Sequence, residues 1–356
     1  MTNPLPSGAV IGILGGGQLG RMLSVAAARL GYRSHIFEPG ANPPAGHVAD
    51  AVTTASYDDE TALRAFADAV DVITYEFENI PTSALDLLES MRPIYPGREA
   101  LRVSQDRMIE KTYLSELGLQ VAPFAAVETA DELSKAIDQI GVPGILKTRR
   151  FGYDGKGQAR IMQAPDAETA LADMQGAPAI LEGFVNFSAE ISVIAARSQD
   201  GQVSAFDPGE NVHEGGILRT TTVPANVPAR LRSDAVLIAA KILNALDYVG
   251  VMGVELFVTA QGLVVNEIAP RVHNSGHWTQ NGCVVDQFEQ HIRAVVGWPL
   301  GDGARHADVV MENLIGSDLE RVSELASSGD CALHLYGKAE AKAGRKMGHV
   351  NRIKKS

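Results

Sequence analysis

Near its start the chain carries a short apolar run, Val10-Ile11-Gly12-Ile13-Leu14, followed without a break by Gly15-Gly16-Gly17-Gln18-Leu19-Gly20. A helical pattern from Arg21 to Leu30 stops at Gly31, and Tyr32 to Phe37 reads as a second strand. A strand, a crossover helix and another strand form a βαβ unit, which implies a parallel sheet with helices against it. Val70 to Tyr75 predicts a further strand. The residues just past it, Glu76-Phe77-Glu78-Asn79-Ile80-Pro81, fall where open α/β sheets place their ligands.

The glycine loop has the spacing Gly15-x-Gly17-x-x-Gly20, with Glu38 at the end of the second strand. That matches a dinucleotide fingerprint, in which backbone N–H groups and a helix N-terminus face a phosphate. The spacing alone does not separate a dinucleotide from another phosphate. A tight strand-to-helix turn would need the same glycines.

A charged helix is predicted over Ser104 to Leu117, and Gly118 to Pro123 reads as a hinge. Beyond it, strand patterns arrive in close succession at 144–148, 158–162, 179–182, 189–196, 253–259 and 263–268, with helices at 130–140 and 229–246. This is the pattern of an α+β domain of mainly antiparallel sheet. The expected division is a tail at 1–9, a Rossmann-like α/β domain at 10–117, a larger domain at 118–300 with a flap subdomain at about 122–185, and a small β-rich piece with a basic tail at 301–356. With 31 basic against 43 acidic residues the net charge is −12, which argues against a broad nucleic-acid surface. Two cysteines without C-x-x-C spacing imply a reduced compartment, and no apolar run approaches the length of a membrane helix. The expectation is a cytoplasmic, soluble protein with small-molecule partners, no nucleic acid and no membrane.

Three further motifs carry chemistry. Lys147-Thr148-Arg149-Arg150-Phe151-Gly152-Tyr153-Asp154-Gly155-Lys156-Gly157-Gln158 places a lysine at a strand end and a glycine-rich turn before the next strand, a flap able to fold N–H groups over phosphates. It is not a Walker A loop, since a strand follows. Next, if Ala260-Gln261-Gly262 is a three-residue hairpin loop, Thr259 pairs with Leu263 and Glu255 lies opposite Glu267. Like charges opposed across a ribbon are unfavourable unless a cation lies between them, and two carboxylates suit Mg²⁺ with nucleotide phosphates. A slip of one residue would place the two on opposite faces. Finally, Asn266-Glu267-Ile268-Ala269-Pro270-Arg271-Val272-His273-Asn274-Ser275-Gly276-His277 crowds polar groups beside the second glutamate, with Arg271 suited to an anion. His273 and His277 have a zinc-like spacing, but Pro270 and Gly276 argue against a helix and no third ligand is evident.

In sequence these motifs read GGGQLGRM, YEFENI, QDR-x-x-x-K, LKTRRFGYDGKGQ, LEGFV, ENVHEGGILRTT, GVELFV, NEIAPRVHNSGHWT and HLYGK. From about Ile11 to Asn351 the series closely resembles the N5-carboxyaminoimidazole ribonucleotide synthetases, ATP-grasp ligases of purine biosynthesis. The resemblance implies an ATP-grasp fold with a Rossmann-like pre-ATP-grasp domain and a small C-terminal domain. It also implies phosphorylation of bicarbonate by ATP and carboxylation of aminoimidazole ribonucleotide, with Mg²⁺ or Mn²⁺ as cofactor, in a homodimer. ATP would be held by Arg107, Lys147, the flap residues Gly152, Tyr153, Asp154, Gly155, Lys156, Gly157 and Gln158, the segment Glu182, Gly183, Phe184 and Val185, and by Glu190, His213, Asn266 and Glu267. Glu255 and Glu267 would hold the metal. Arg271, His273 and Asn274 would bind bicarbonate and carboxyphosphate, and Asp154 is the candidate base. The ribonucleotide would meet Gly16, Gly17, Gln18 and Leu19, with Glu76, Tyr153, Lys338 and Arg345.

The chain departs from the family pattern where Phe151 replaces a glycine at the start of the flap, and where Gly183 replaces a second acid after Glu182. Two rival readings are another ATP-grasp ligase, such as the formate-dependent glycinamide ribonucleotide transformylase, and a nicotinamide-dependent oxidoreductase or dinucleotide-binding protein built on the first glycine loop. The second rival leaves Glu255, Glu267 and the flap without a task.

Overall fold

The computed structural model describes residues 4–152 and 155–354, so the expectations for Tyr153 and Asp154 lie outside the described residues. The opening unit consists of β1 (Val10–Leu14), α1 (Gln18–Arg29) and β2 (Arg33–Phe37), continued by β3 (Ala51–Thr53), α2 (Glu60–Asp68) and β4 (Val72–Tyr75). The strands pair in parallel in the order β3-β2-β1-β4. Ile11, Ile13 and Leu14 on the inner strand β1 are fully buried, as a strand covered on both faces requires. Helix α1 starts three residues ahead of its apolar pattern, because Gly17 already serves as its N-cap.

Helices α3 (Thr82–Glu89), α4 (Arg98–Ser104) and α5 (Arg107–Glu116) lead out of this domain. Helix α5 is the charged helix expected over Ser104 to Leu117, but it starts at Arg107, and Ser104 is the last residue of α4. Asp106 accepts hydrogen bonds from the backbone N–H groups of Met108 (2.9 Å) and Ile109, so it is the N-cap that sets the start of α5.

Two antiparallel sheets follow. The smaller is made by β5 (Phe124–Val127), β6 (Gly144–Thr148), β7 (Gln158–Ile161) and β8 (Ala179–Gly183) in the order β5-β8-β6-β7, with α6 (Ala130–Ile140) and α7 (Ala167–Asp173) against it. The larger begins with β9 (Ala189–Arg197), β10 (Val203–Ala205), β11 (Gly209–Glu214) and β12 (Ile217–Val223). After α8 (Ala229–Ala245) come β13 (Gly250–Thr259), β14 (Gly262–Ala269), α9 (Thr279–Gly282) and α10 (Gln287–Val296). The last segment supplies β15 (Asp308–Ile315), α11 (Val322–Ser327), β16 (Cys331–Leu335) and β17 (Lys346–Lys354). The sheet order is β14-β13-β9-β11-β12-β15-β17-β16, with β10 beside β9. The segment after residue 301 therefore extends the large sheet through the β12–β15 pairing.

One apolar cluster runs from Ile13 and Leu23 of the first domain to Val251, Trp278 and Ile292, which seats the parallel sheet against the large one. Polar pins reinforce the contact. Arg29 Nη1 lies 3.1 Å from Asp286, and the Nε2 of His291 on α10 lies 2.7 Å from Thr74 Oγ1 on β4. The glycine loop and the β13–β14 hairpin are thus carried by elements whose spacing is set by a shared core.

Candidate active site

The hairpin of β13 and β14 brings Glu255 opposite Glu267, by a different route from the one the turn suggested. Thr259 pairs with Gly262 around a two-residue loop, where Thr259 Oγ1 accepts from the Gln261 N–H (3.2 Å) and donates to the Gly262 carbonyl (2.9 Å). A bulge between Glu255 and Leu256 then shifts the register by one residue, so the pair ends up facing. Burial pushes the Glu255 carboxyl up, and the facing Glu267 pushes the same way, to about 7. Burial acts on Glu267 as well, but Arg107, whose Nη1 is 3.0 Å from Glu267 Oε2, and Lys147 outweigh it and hold that carboxylate down, at about 2. Burial and mutual repulsion thus oppose ionisation of Glu255 while Arg107 favours that of Glu267, the divergence expected of two like charges in one site.

Lys147 closes β6 with its Nζ 3.0 Å from Glu182 Oε2. Burial, with Lys111 and Arg107 nearby, lowers its pKa against the pull of Glu182. Glu182 is buried, with its carboxylate against Lys111 and Lys147. The N–H groups of Gly183 and Phe184 are already bonded, to the carbonyls of Pro123 (2.8 Å) and Pro143 (3.0 Å), while the Val185 N–H has no acceptor among the described residues. Phe187 stacks on Phe257 at 4.6 Å beside this segment. Glu190, on β9, has Oε2 2.7 Å from His213 Nδ1. Burial disfavours the charged imidazole, yet Glu190 and Glu255 together raise its pKa.

In the flap, Gly155 and Gly157 adopt φ +78° and +68°, and a Cβ on Gly157 would stand 2.6 Å from Thr148 Oγ1. Phe151 has φ 63°, a left-handed conformation that costs an L-residue about 1 to 2 kcal/mol. The departure from glycine noted at this position is therefore a strained one. The Phe151 ring is exposed and carries Arg150 over its face at 5.4 Å.

Arg271 is held by Glu78: Nε lies 2.6 Å from Oε2 and Nη2 3.3 Å from Oε1. An anion bound at Arg271 must share the guanidinium with that carboxylate. Asn274 exchanges hydrogen bonds with the buried Asn313 amide, at 2.9 and 2.7 Å. His273 Nε2 is 3.6 Å from Glu255 Oε1, and its Nδ1 meets Ser275 Oγ at 2.9 Å. Burial first, then Arg271, push this imidazole down to about 3, so it is neutral. His277 lies apart, against His349 and Gln287, and among the described residues no group of three or more His, Cys, Asp or Glu is arranged to hold a metal ion. The zinc-like spacing has no geometric counterpart.

The first glycine loop is occupied by the protein's own carboxylates. Glu76 accepts from the N–H groups of Gly17 and Gly20, the latter at 2.6 Å, and Glu38 accepts from Gly16 (2.8 Å) and Gly40 (2.9 Å). A Cβ at Gly17 would stand 2.5 Å from Glu76 Oε1, so this glycine is needed to admit Glu76. Burial raises the Glu76 pKa, against the two N–H groups that favour its charge. Gln18 and Leu19 keep first-turn N–H groups without an acceptor among the described residues. Near them, a Cβ built on Gly337 would approach His47 Nδ1 to 3.3 Å and Arg21 Nη1 to 3.7 Å, so the β16–β17 connection reaches the loop's domain. Lys338 in that connection donates to the Lys346 carbonyl (2.7 Å), and Arg345 donates to the Glu340 carbonyl (3.2 Å).

Three family models match in sequence: a ribonucleotide synthetase preATP-grasp domain over residues 9–105, an ATP-grasp domain over 112–288, and a phosphoribosylaminoimidazole carboxylase C-terminal domain over 309–356. An N5-carboxyaminoimidazole ribonucleotide synthase of Brucella melitensis is 54% identical over 353 residues, 98% of each chain. The chain belongs to the N5-carboxyaminoimidazole ribonucleotide synthase family. The synthase of Bacillus subtilis strain 168 is 44% identical, over 98% of this chain and 92% of its own. A solved N5-carboxyaminoimidazole ribonucleotide synthetase in complex with ADP superimposes with a TM-score of 0.96 at 42% identity, covering 99% of this chain and 94% of that one. The Aspergillus clavatus N5-carboxyaminoimidazole synthase, solved with ADP and 5-aminoimidazole ribonucleotide, gives 0.92 at 33% identity, over 98% and 94%. The resemblance carried by the motifs is borne out at the level of family and fold.

Within this synthase fold several side chains at the site escaped the motif reading. Glu78 stood in a quoted motif without a role, although its spacing past a strand end was a signal. Lys111, the last residue of QDR-x-x-x-K, likewise stood in a motif without a role, and Glu110 stood beside it on a helix whose face could be read from the i, i+3, i+4 spacing with Arg107. Asn313 had no signal at all, since its partner Asn274 is 39 positions away.

Proposed function

We propose that this chain carboxylates the 5-amino group of aminoimidazole ribonucleotide with bicarbonate and ATP, giving N5-carboxyaminoimidazole ribonucleotide, ADP and phosphate. The observation that carries the reading is similarity over the whole chain to synthases named for that product, one of them solved with ADP and 5-aminoimidazole ribonucleotide. Lys147 and the flap glycines hold the ATP phosphates, Val185 offers its free N–H to adenine, and Glu190 with His213 faces the ribose. Arg107 and Asn266 complete the nucleotide pocket.

Glu255 and Glu267 fit a divalent ion, Mg²⁺ or Mn²⁺: they are hard oxygen donors, directly opposed, and burial together with the repulsion between them raises Glu255. When bound, that ion neutralises charge on the phosphates during transfer. The γ-phosphoryl group passes to a bicarbonate oxygen, with Arg271 and neutral His273 donating to the anion and Asn274 orienting it. Carboxyphosphate then loses phosphate as its carbon, released as CO₂ in the closed site, is taken by the amine nitrogen. The amine proton goes to a base, for which Asp154 is the candidate. The ribonucleotide phosphate meets the α1 N-terminus at Gln18 and Leu19, assisted by Lys338 and Arg345, with Glu76 and Tyr153 near the base. The same reading includes a homodimer in the cytoplasm, and sedimentation tests the dimer. Among the described residues no helix is long and apolar enough to cross a membrane.

The deciding assay measures ADP release with aminoimidazole ribonucleotide plus bicarbonate, and separately with glycinamide ribonucleotide plus formate, alongside an NAD(H) binding titration. Turnover with the first pair alone is expected. Turnover with the second pair, or tight NAD(H) binding without turnover, would overturn the proposal.

A further inference from the structure

A hairpin's register is normally set at its turn and carried along both strands. Here the turn pairs Leu256 with Val265. Unbroken continuation would put Asn266 opposite Glu255 and swing Glu267 to the other face. The observed facing of Glu255 and Glu267 depends on Asn266 being the extra residue of a bulge. Something other than the turn must hold that bulge in place.

β14 is the terminal strand of the large sheet: the Val265 N–H donates to the Gln120 carbonyl (2.8 Å) beside an isolated bridge to Val121, and beyond that point the outer edge has no neighbouring strand among the described residues. Helix α5 takes that place with side chains. Lys111 Nζ donates to the carbonyl of the bulged Asn266 at 2.6 Å, and Glu110 Oε1 accepts the N–H of Ile268 at 2.7 Å. These bonds grip the backbone on either side of Glu267, whose carboxylate meets Arg107 from the same helical face. Both gripping side chains are almost fully buried, at 1% and 2% exposure, a placement that is costly for charged groups unless fully partnered. Lys111 also lies 3.5 Å from Glu182, the carboxylate that pairs with Lys147. It therefore ties the strand before the adenine segment to the strand that carries Glu267.

We propose that Lys111 and Glu110 are positioning residues for the carboxylate pair, holding the β14 bulge so that Glu267 faces Glu255. The proposal rests on the reading of that pair as the metal site. Without Lys111 the carbonyl of Asn266 loses its partner and the edge strand can relax into the turn's own register, which separates the two carboxylates.

The test is Mn²⁺ binding followed by electron paramagnetic resonance in the presence of ADP, on wild type, Lys111→Met, Lys111→Arg and Glu255→Gln, with kcat and KM for ATP on the same samples. Lys111→Met is expected to weaken Mn²⁺ binding about 10- to 100-fold, the loss typical of outer partners of a metal site, and to lower kcat more than it raises KM for ATP. Lys111→Arg, which keeps a donor and the charge, recovers most of the binding. If Glu255→Gln abolishes Mn²⁺ binding while folded Lys111→Met binds as wild type does, the positioning proposal falls and the metal reading stands. If Glu255→Gln binds Mn²⁺ normally, the metal reading falls, and this proposal with it. Should Lys111→Met fail to fold, Glu110→Ala is titrated in the same way, together with amide exchange at Ile268. Faster exchange with weakened Mn²⁺ binding supports the role of the helix, and faster exchange with unchanged binding overturns it.

Discussion

Replacing His291 changes how stability depends on pH, by an amount that follows from its surroundings. The imidazole is fully buried: Nδ1 accepts from the Val251 N–H at 3.0 Å, so Nε2 carries the proton and donates to Thr74 Oγ1 at 2.7 Å. Burial pushes its pKa down from 6.5 to about 3. In the unfolded chain the same group takes up a proton below its ordinary value, so the unfolded state binds more protons throughout the window between the two values. Stability contributed by neutral His291 is complete above the ordinary value and is lost as pH falls toward the folded one, at about 1.4 kcal/mol per pH unit. Between 6.5 and about pH 5 the loss is about 2 kcal/mol. Glu110 and Glu255, raised to about 8 and 7, act in the opposite sense over part of the same range, so the wild-type curve alone does not isolate the histidine. His291→Gln does isolate it. At about pH 7.5 the variant should be less stable than wild type by about 1 to 3 kcal/mol for its lost hydrogen bonds, and by about pH 5 that gap should close by about 2 kcal/mol. Urea unfolding at several pH values measures both. Parallel curves across the window would show that His291 is not held neutral by burial, and the argument would fail.

Other outcomes follow from single contacts. Gly17→Ala should destabilise the protein by about 1 to 3 kcal/mol, read as a lower urea midpoint, because the new methyl group meets Glu76 Oε1 at 2.5 Å. Glu255→Gln should stabilise the metal-free protein at about pH 8, by up to about 3 kcal/mol, since it removes a carboxyl that burial and Glu267 make hard to ionise. The sign is that of a raised acid, whose penalty grows as pH rises from its ordinary value to about 7, and thermal unfolding with chelator checks it. Arg345→Ala should raise KM for the ribonucleotide roughly tenfold with kcat little changed, and unchanged steady-state kinetics would remove Arg345 from the phosphate site.

The local elements of this fold are readable because their signals lie within a few residues of one another. The strand at Gly144–Thr148 and the helix at Ala130–Ile140 have the expected limits, the helix closed by a Thr129–Glu132 capping box. The Glu255–Glu267 pair is legible too, though by compensation: a three-residue loop without a bulge and a two-residue loop with one give the same facing. What the motifs do not reveal is which charges are already taken. Glu76 reaches Gly17 across 59 positions, and Glu78 reaches Arg271 across 193. No spacing rule acts over such separations, because the partners are brought together by sheet order and by the core between the first domain and α10. The start of α5 differs from the expected one for a local reason, since a capping aspartate at the head of a charged helical stretch looks like one more surface acid.

The carboxylate of Glu76 gives the glycine loop a selectivity of its own. An external pyrophosphate approaching Gly17 and Gly20 competes with an acceptor already tethered there, at an effective concentration far above that of any dissolved cofactor. A nicotinamide dinucleotide, which needs several of those N–H groups together, is opposed by a bound competitor of the same sign. A single phosphate that meets only the Gln18 and Leu19 N–H groups would not need to displace it. Two loops with identical glycine spacing can therefore differ in what they admit, and here the difference is set by one acid at the end of a neighbouring strand.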